Sequence, residues 1–530
     1  MMKRLFASLA LMAVATTAFA GLHSGTVDVR ILAINDFHGH IVQDRFITKQ
    51  GEKIPVGGAA WLTSRFRKIE SQPPLALIVS AGDSVGGSPP VSALFQDEPT
   101  VEFMNMAGFD AATLGNHELD EGYLEMLRLW KGGKHKSSRY YPKPFPGAKF
   151  PIVCANVVEE RTGKPILAPY SIHWINGVRI GIIGVVTREA KTAVAAEGLK
   201  GLTIADETEA INKWADHLGK YGVHAIIALV HEGGEQKPEN PTGVISGPIA
   251  DMARRMRPDV DLIISGHTHT NINGFIGRTL ITQARNYGAA FADIVMTIDR
   301  GSGDVIKKNA LILDATHDDL IPAFDVERMV ANYEALAAPR VNKVIATLKR
   351  GYKRNDGKDA LGAVIADAQR EAMKADVAFM NSGGIRSDIP EGVLTWGHLY
   401  TCQPFGNKLK AIQMTGAQVR KVLEQQWRTG ADGREESWML WVSGITYTWD
   451  PKALPGSRVR EVKMADGSPL EDAKTYTVAA NEFIAGGGDG FTTLADGKVI
   501  ATGGTDLDAL IDYFSAHPDP PDASGRSRRL

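Results

Sequence analysis

Between Val27 and about Leu313 the apolar positions fall into short runs, each closed by glycine or by a polar cluster. The main runs are "VDVRILAIND", "PLALIVSAGD", "DAATLGN", "PIVCANV", "VRIGIIGVVT", "HAIIALVHE", "VDLIISGHTH", "TLITQA" and "FADIVMTID". Several are near-continuous Val, Ile, Leu and Ala, with helical stretches between many of them. That pattern suits strands buried on both faces and predicts an α/β unit, and the number of runs predicts two packed sheets.

Residues 319–349 change character. They are helix-rich and charged, and they predict a connecting helix or two, the natural place for a hinge. "RGYKRNDGKD" then breaks the pattern, and a second α/β unit runs from about Ala360 to Phe514. The tail "AHPDPPDASGRSRRL" is polar and Pro-rich and is expected to be poorly ordered. The predicted units are therefore 25–318, a helical linker 319–349, a second domain 350–515 and a polar tail 516–530.

Length and composition sharpen this division. A chain of 530 residues is too long for one ordinary core, so two or three domains are expected. A net charge of −2 carries no footprint for a nucleic-acid polymer or an anionic membrane. Residues 1–20 stand apart. A basic "MMKR", the apolar "LFASLALMAVATTAF" and the small-x-small Ala18-Phe19-Ala20 read as a secretory signal peptide. The expected location is periplasmic or secreted, without a stable membrane anchor. With only Cys154 and Cys402 there is no disulfide framework, and two buried free thiols are expected.

The chemistry collects just after the strands. "NDFHGH" gives Asp36, His38 and His40; "AGDS" gives Asp83; "GNHELD" gives Asn116, His117 and Asp120; "HEGG" gives His231; "GHTHT" gives His267 and His269. Six of the 14 histidines lie in these strings. Taken singly, each string is an ordinary cap or turn. Five of them at strand ends can converge on one point, because α/β sheets bind ligands beyond the carboxyl ends of their strands. Hard oxygen plus imidazole without thiolate suits Zn, Mn, Fe or Co better than Ca. About seven ligands are too many for one tetrahedral ion and fit two divalent ions sharing a carboxylate.

In that order, "D-x-H", "GD", "GNHE", a lone His after a strand and "GHxH" resemble the calcineurin-like metallophosphoesterases. "MNSGGIR" (380–386), "QPFGN" (403–407) and "NEFIAGGGDGF" (481–491) are similar to the C-terminal domain of 5′-nucleotidases, a family that includes bacterial UDP-sugar hydrolases. The resemblance covers essentially the whole chain after residue 20. It implies a four-layer α/β/β/α metallophosphoesterase domain followed by an α/β nucleotide-binding domain. It also implies that Asp36, His38 and His269 hold one metal, that Asn116, His231 and His267 hold the other, and that Asp83 bridges. His117 and Asp120 match the catalytic pair, with Asp120 orienting His117 near the phosphate. His40 has no ligand role in the pattern, and Glu118 has none beyond capping the next helix.

In the second domain the resemblance makes Phe405 and Phe483 the pair that sandwiches the base. Asn381 and Asn407 suit polar contacts with base or ribose, Asp489 suits the ribose hydroxyls, and Arg386 suits the phosphate. One stretch departs from the family: Ala360 stands where relatives have Asn, and Arg354 is offset by about one residue, so its contact with phosphate is the weakest of these assignments. Arg285 in "QARNYG" also replaces an expected small residue. The expected activity is removal of phosphate from nucleoside 5′-monophosphates, and possible substrates extend to nucleoside diphosphates, triphosphates and UDP-sugars. The rival readings are a 2′,3′-cyclic phosphodiesterase/3′-nucleotidase, a thiosulfohydrolase, and a secreted nucleotide-binding protein without turnover.

Overall fold

The computed structural model describes residues 25–136, 144–194, 196–239, 242–354, 360–429, 435–520 and 523–530. The signal-peptide reading at 1–20 lies outside these residues, as do 355–359, next to Ala360. Among the described residues no helix is long and apolar enough to cross a membrane.

The N-terminal domain is built on two six-stranded sheets. One runs in the order 305–314, 290–299, 26–34, 76–80, 111–113, 152–153. The other runs 271–276, 279–284, 262–265, 225–231, 178–186, 170–175. Strands 26–34, 76–80, 111–113 and 152–153 are mutually parallel, as are 178–186, 225–231, 262–265 and 279–284. Their carboxyl ends therefore open at one edge of the layers.

Alternation along each strand builds the layers. Ile31, Ala33, Val79, Ile182, Leu229 and Ile264 share the core between the two sheets. Their neighbours Leu32, Ile34 and Ile78 face outward, against Leu62 and Phe66 of helix Ala59–Glu70 and Phe103 of helix Glu98–Ala107. On the far side Ile183, Ala228 and Ile263 meet Ile211 of helix Glu207–Lys220 and Ile249 of helix Pro248–Arg255. The result is four layers, α/β/β/α. Burial on both faces explains why these strands read as continuous apolar runs.

The C-terminal domain has a five-stranded mixed sheet, 440–443, 377–381, 475–481, 408–415, 498–505. Helices Ala360–Met373 and Asp506–Ala516 cover one face, and helix Gly416–Glu424 the other. Strands 377–381 and 475–481 are parallel, so Asn381 and the start of the short helix Glu482–Ala485 emerge side by side.

Two expectations need correction. Residues 319–349 are not helical throughout: helix Phe324–Val341 is followed by strand Val344–Leu348, which pairs with Gly392–Thr395. Here the pairing partner decides the conformation of a short β-branched segment. The tail is also partly structured. Arg526 grips Asp367 with two bonds of 2.8 Å, and Ser527–Arg529 adds a parallel strand to Ile445–Trp449. Cys154 and Cys402 are buried and unbridged.

Candidate active site

Strand ends deliver the polar residues to one place. Asp36 and His38 follow strand 26–34, Asp83 follows 76–80, and Asn116 follows 111–113. His231 ends strand 225–231, and His267 and His269 follow 262–265. Asp36, His38, Asp83, His267 and His269 all adopt positive φ, between 47° and 74°. L-residues rarely accept this conformation unless the surroundings enforce it, and it clusters at functional sites. Gly115 has a related reason: a Cβ there would collide with Asp83 Oδ1 and lie 2.5 Å from the Asp83 nitrogen. The close approach of the two loops therefore requires glycine.

Among the described residues two groups drawn from the expected ligands can each surround a cation, and a third, His38, Asp83 and His117, shares a member with each. Asp36, His38 and His269 bring ligand atoms within 4.8 Å of one another, and so do Asp83, His231 and His267. Asp83 lies between them, its Oδ2 3.1 Å from His231 Nε2 and 3.5 Å from His38 Nε2. Among the described residues Asn116 Oδ1 is buried without a hydrogen-bond partner, and His231 Nε2 faces only carboxylate oxygens, Asp83 Oδ2 at 3.1 Å and Asp36 Oδ1 at 4.0 Å. Buried polar atoms are normally satisfied, so the orphaned Asn116 oxygen, beside imidazole nitrogens crowded against carboxylates, fits a cation-binding donor set. Burial pushes the Asp83 carboxyl up, but His231, His117 and His38 around it hold it well below the usual range.

The imidazoles are held from behind. His38 Nδ1 lies 2.7 Å from the Gly86 carbonyl, and His231 Nδ1 lies 2.9 Å from that of Ala81. Each contact places the proton on Nδ1 and leaves Nε2 to coordinate. His269 Nδ1 is 2.8 Å from the Asn286 side-chain amide, and His267 Nε2 is 3.2 Å from Glu189 Oε2.

His117 sits beside these groups. Its backbone N–H donates to Asp83 Oδ1 at 2.9 Å, and its Nδ1 lies 2.8 Å from Asp120 Oδ2. Burial works against the imidazolium, but Asp120 and Asp83 outweigh it and the pKa is raised.

The second domain closes over this surface. Phe405 stacks on the His117 ring, and Arg386 approaches His38 Nε2 to 3.5 Å. A cavity of about 480 Å³ runs between the domains, lined by Asn116, His117, Asp120 and His267 on one side and by Asn381, Arg386, Phe405, Asn407, Phe483 and Asp489 on the other. Asn381 donates to Asp489 at 2.7 Å, and burial lifts the Asp489 carboxyl to about 6.

Arg354 is not among the lining residues. Its backbone N–H donates to Asp388, and burial together with the nearby Arg386 charge lowers its pKa. It is near enough to Arg386 to feel its charge without lining the cavity.

Several contributors escaped the sequence reading. Glu118 does not cap a helix. It is buried and accepts the backbone N–H groups of Asp83, Ser84 and Gly115 at 3.0, 2.8 and 2.5 Å, tying two ligand loops together. Its place in "GNHE" was the only signal. His40 is buried, bonded to Asp44 at 3.0 Å and packed 4.1 Å from the Tyr287 ring. Tyr287 also meets the rings of His38 and His269. Arg285 pairs with Asp314, and its carbonyl accepts from Asn35, whose side chain also donates to Asp36. "QARNYG" is thus a supporting loop, which its composition did not disclose.

Comparison with known proteins matches two segments of the chain. Residues 29–271 match the family described as calcineurin-like phosphoesterase, and residues 343–496 match the 5′-nucleotidase C-terminal domain. The chain is 38% identical over 503 residues to endonuclease YhcR of Bacillus subtilis, an alignment that takes in 93% of this chain and 40% of that protein. It is 33% identical over 543 residues to the cell wall protein Lmo0130 of Listeria monocytogenes, covering 94% of this chain and 68% of the other. A 5′-nucleotidase precursor from Thermus thermophilus superposes with a TM-score of 0.80 at 27% identity, covering 95% of this chain and 99% of that one.

Proposed function

Since the chain belongs to the calcineurin-like phosphoesterases that carry a 5′-nucleotidase C-terminal domain, and is a metal-dependent phosphoesterase, we propose that it removes phosphate from nucleoside 5′-monophosphates. The observation that carries this reading is the interdomain cavity, in which the His117–Asp120 pair and two of the proposed ligands, Asn116 and His267, face Phe405, Phe483, Asn381 and Asp489. A substrate with a phosphate at one end and a flat base with ribose at the other matches both walls.

The family's dinuclear centre would be held by Asp36, His38 and His269 on one side and Asn116, His231 and His267 on the other, with Asp83 shared. The donor set suits Zn, Mn, Co or Fe. When bound, such ions supply Lewis acidity and lower the pKa of water. The protein's own residues do the rest. Arg386 offers a planar fork to phosphate oxygens. His117, kept cationic by Asp120, stabilises charge on the departing oxygen or delivers a proton to it. Phe405 and Phe483 present ring faces to the base, which any base can use. The signal-peptide reading and the likeness to a cell wall protein support export, and the segment 319–349 is the proposed hinge between the domains.

The test is a substrate panel on the metal-loaded protein: AMP, 3′-AMP, 2′,3′-cyclic AMP, UDP-glucose, p-nitrophenyl phosphate and a short single-stranded oligonucleotide. The highest kcat/KM is expected for AMP. A higher value for the cyclic nucleotide or the oligonucleotide would replace this reading with a phosphodiesterase or nuclease.

A further inference from the structure

Each of the four imidazoles at the cation groups has one nitrogen held by a neighbour, but the neighbours differ in kind. His38 and His231 rest on backbone carbonyls and His269 on a side-chain amide. His267 rests on a carboxylate, Glu189 Oε2, 3.2 Å from its Nε2. The hydrogen bond to His267 holds the Glu189 carboxyl below its usual range. The His267 backbone is fixed separately, since its N–H donates to both oxygens of Asp36 at 3.0 Å. What remains adjustable is the ring, and Glu189 is the group that addresses it.

Glu189 comes from a different part of the chain. It follows strand Val178–Val186 and immediately precedes the short helix Ala190–Ala193. That helix lies against the turn Gly488–Gly490 of the second domain, which carries Asp489 into the cavity. Glu189 also lines this cavity, with its side chain 41% exposed, so it is not a buried structural acid.

We propose that Glu189 is a positioning residue for His267, fixing the Nε2–H tautomer and the ring angle so that Nδ1 is presented to a divalent cation. A carboxylate behind a coordinating imidazole selects the tautomer and makes the free nitrogen a stronger donor. The inference rests on the reading of His267 as a metal ligand.

The test uses the full chain stripped of metal and titrated with Co²⁺, with bound cobalt counted directly, for wild type, Glu189→Ala, Glu189→Gln and His267→Ala. Glu189→Ala is expected to weaken one of the two cobalt equivalents by about 10–100-fold and leave the other unchanged. The unchanged equivalent also reports that the variant is folded. Glu189→Gln retains an acceptor oxygen and is expected to fall between. If His267→Ala loses an equivalent while Glu189→Ala binds both as wild type does, the positioning role is overturned and the ligand assignment stands. If His267→Ala itself binds both equivalents normally, the ligand assignment fails and the inference falls with it.

Discussion

The ring of Phe405 in the second domain stacks on the imidazole of His117 in the first, with centroids 5.7 Å apart and planes within 18°. Arg386 lies 5.8 Å from the centre of the same Phe405 ring. The proposed base-binding aromatic and the proposed proton-handling imidazole are therefore one packed unit, whereas Phe483 lines the cavity from the separate short helix Glu482–Ala485. The two phenylalanines should then behave differently. Phe483→Ala is expected to raise KM for AMP by an amount equivalent to about 1–3 kcal/mol of stacking, with p-nitrophenyl phosphate untouched. Phe405→Ala should lower turnover of both substrates. Steady-state kinetics on the two esters decide it, and identical profiles for the two variants would reject the distinction.

His117 donates its backbone N–H to Asp83 but offers its side chain to Asp120, so the imidazole can be removed without taking away a proposed ligand. His117→Asn is expected to keep full metal content and lose turnover by on the order of 10²–10⁴-fold. Elemental analysis alongside kcat is the measurement. Loss of metal in this variant would move His117 into the coordination set.

Glu118 is the common acceptor for three backbone N–H groups in the Asp83 and Asn116 loops. Burial and the neighbouring Asp83 push its carboxyl up to about 7, against the pull of those donors. Glu118→Ala leaves the donors buried and unpaired, at a cost of about 1–3 kcal/mol for each unsatisfied group. A lower urea midpoint and reduced metal retention on dialysis are expected together. A variant that melts normally and keeps its metal would limit Glu118 to a passive role.

Asp506 supplies a pH test away from the cation groups. Burial raises its carboxyl to about 7, opposed by the Leu507 N–H and by Asn407. A carboxyl with a raised folded pKa contributes stability below its ordinary value of about 4, and that contribution is lost as the pH climbs through about 7. The wild-type urea midpoint should therefore fall relative to Asp506→Asn between about pH 5 and about pH 8. Parallel pH profiles for the two proteins would contradict it.

The α/β class of both domains and the positions of the candidate ligands were legible in the residues themselves. A strand buried on both faces must be apolar along its length, and a polar cluster after it must lie beyond its carboxyl end. Both are local facts, readable at Ile31–Asp36 or Ile263–His267. The short strand Val344–Leu348 and the ordered tail at Arg526 were not legible, because each depends on a partner distant in sequence, Gly392–Thr395 in one case and Asp367 in the other.

The same division runs through the site. Residue type determined which groups can bind a cation or hold a phosphate, since imidazole, carboxylate and amide carry that capacity wherever they stand. Tertiary structure alone decided how they are aimed. Glu189 reaches His267 across 78 residues, Gly86 reaches His38 across 48, and Phe405 meets His117 across the domain boundary. A hydrogen bond or a ring contact acts over about 3–6 Å of space and is indifferent to the length of chain between its ends.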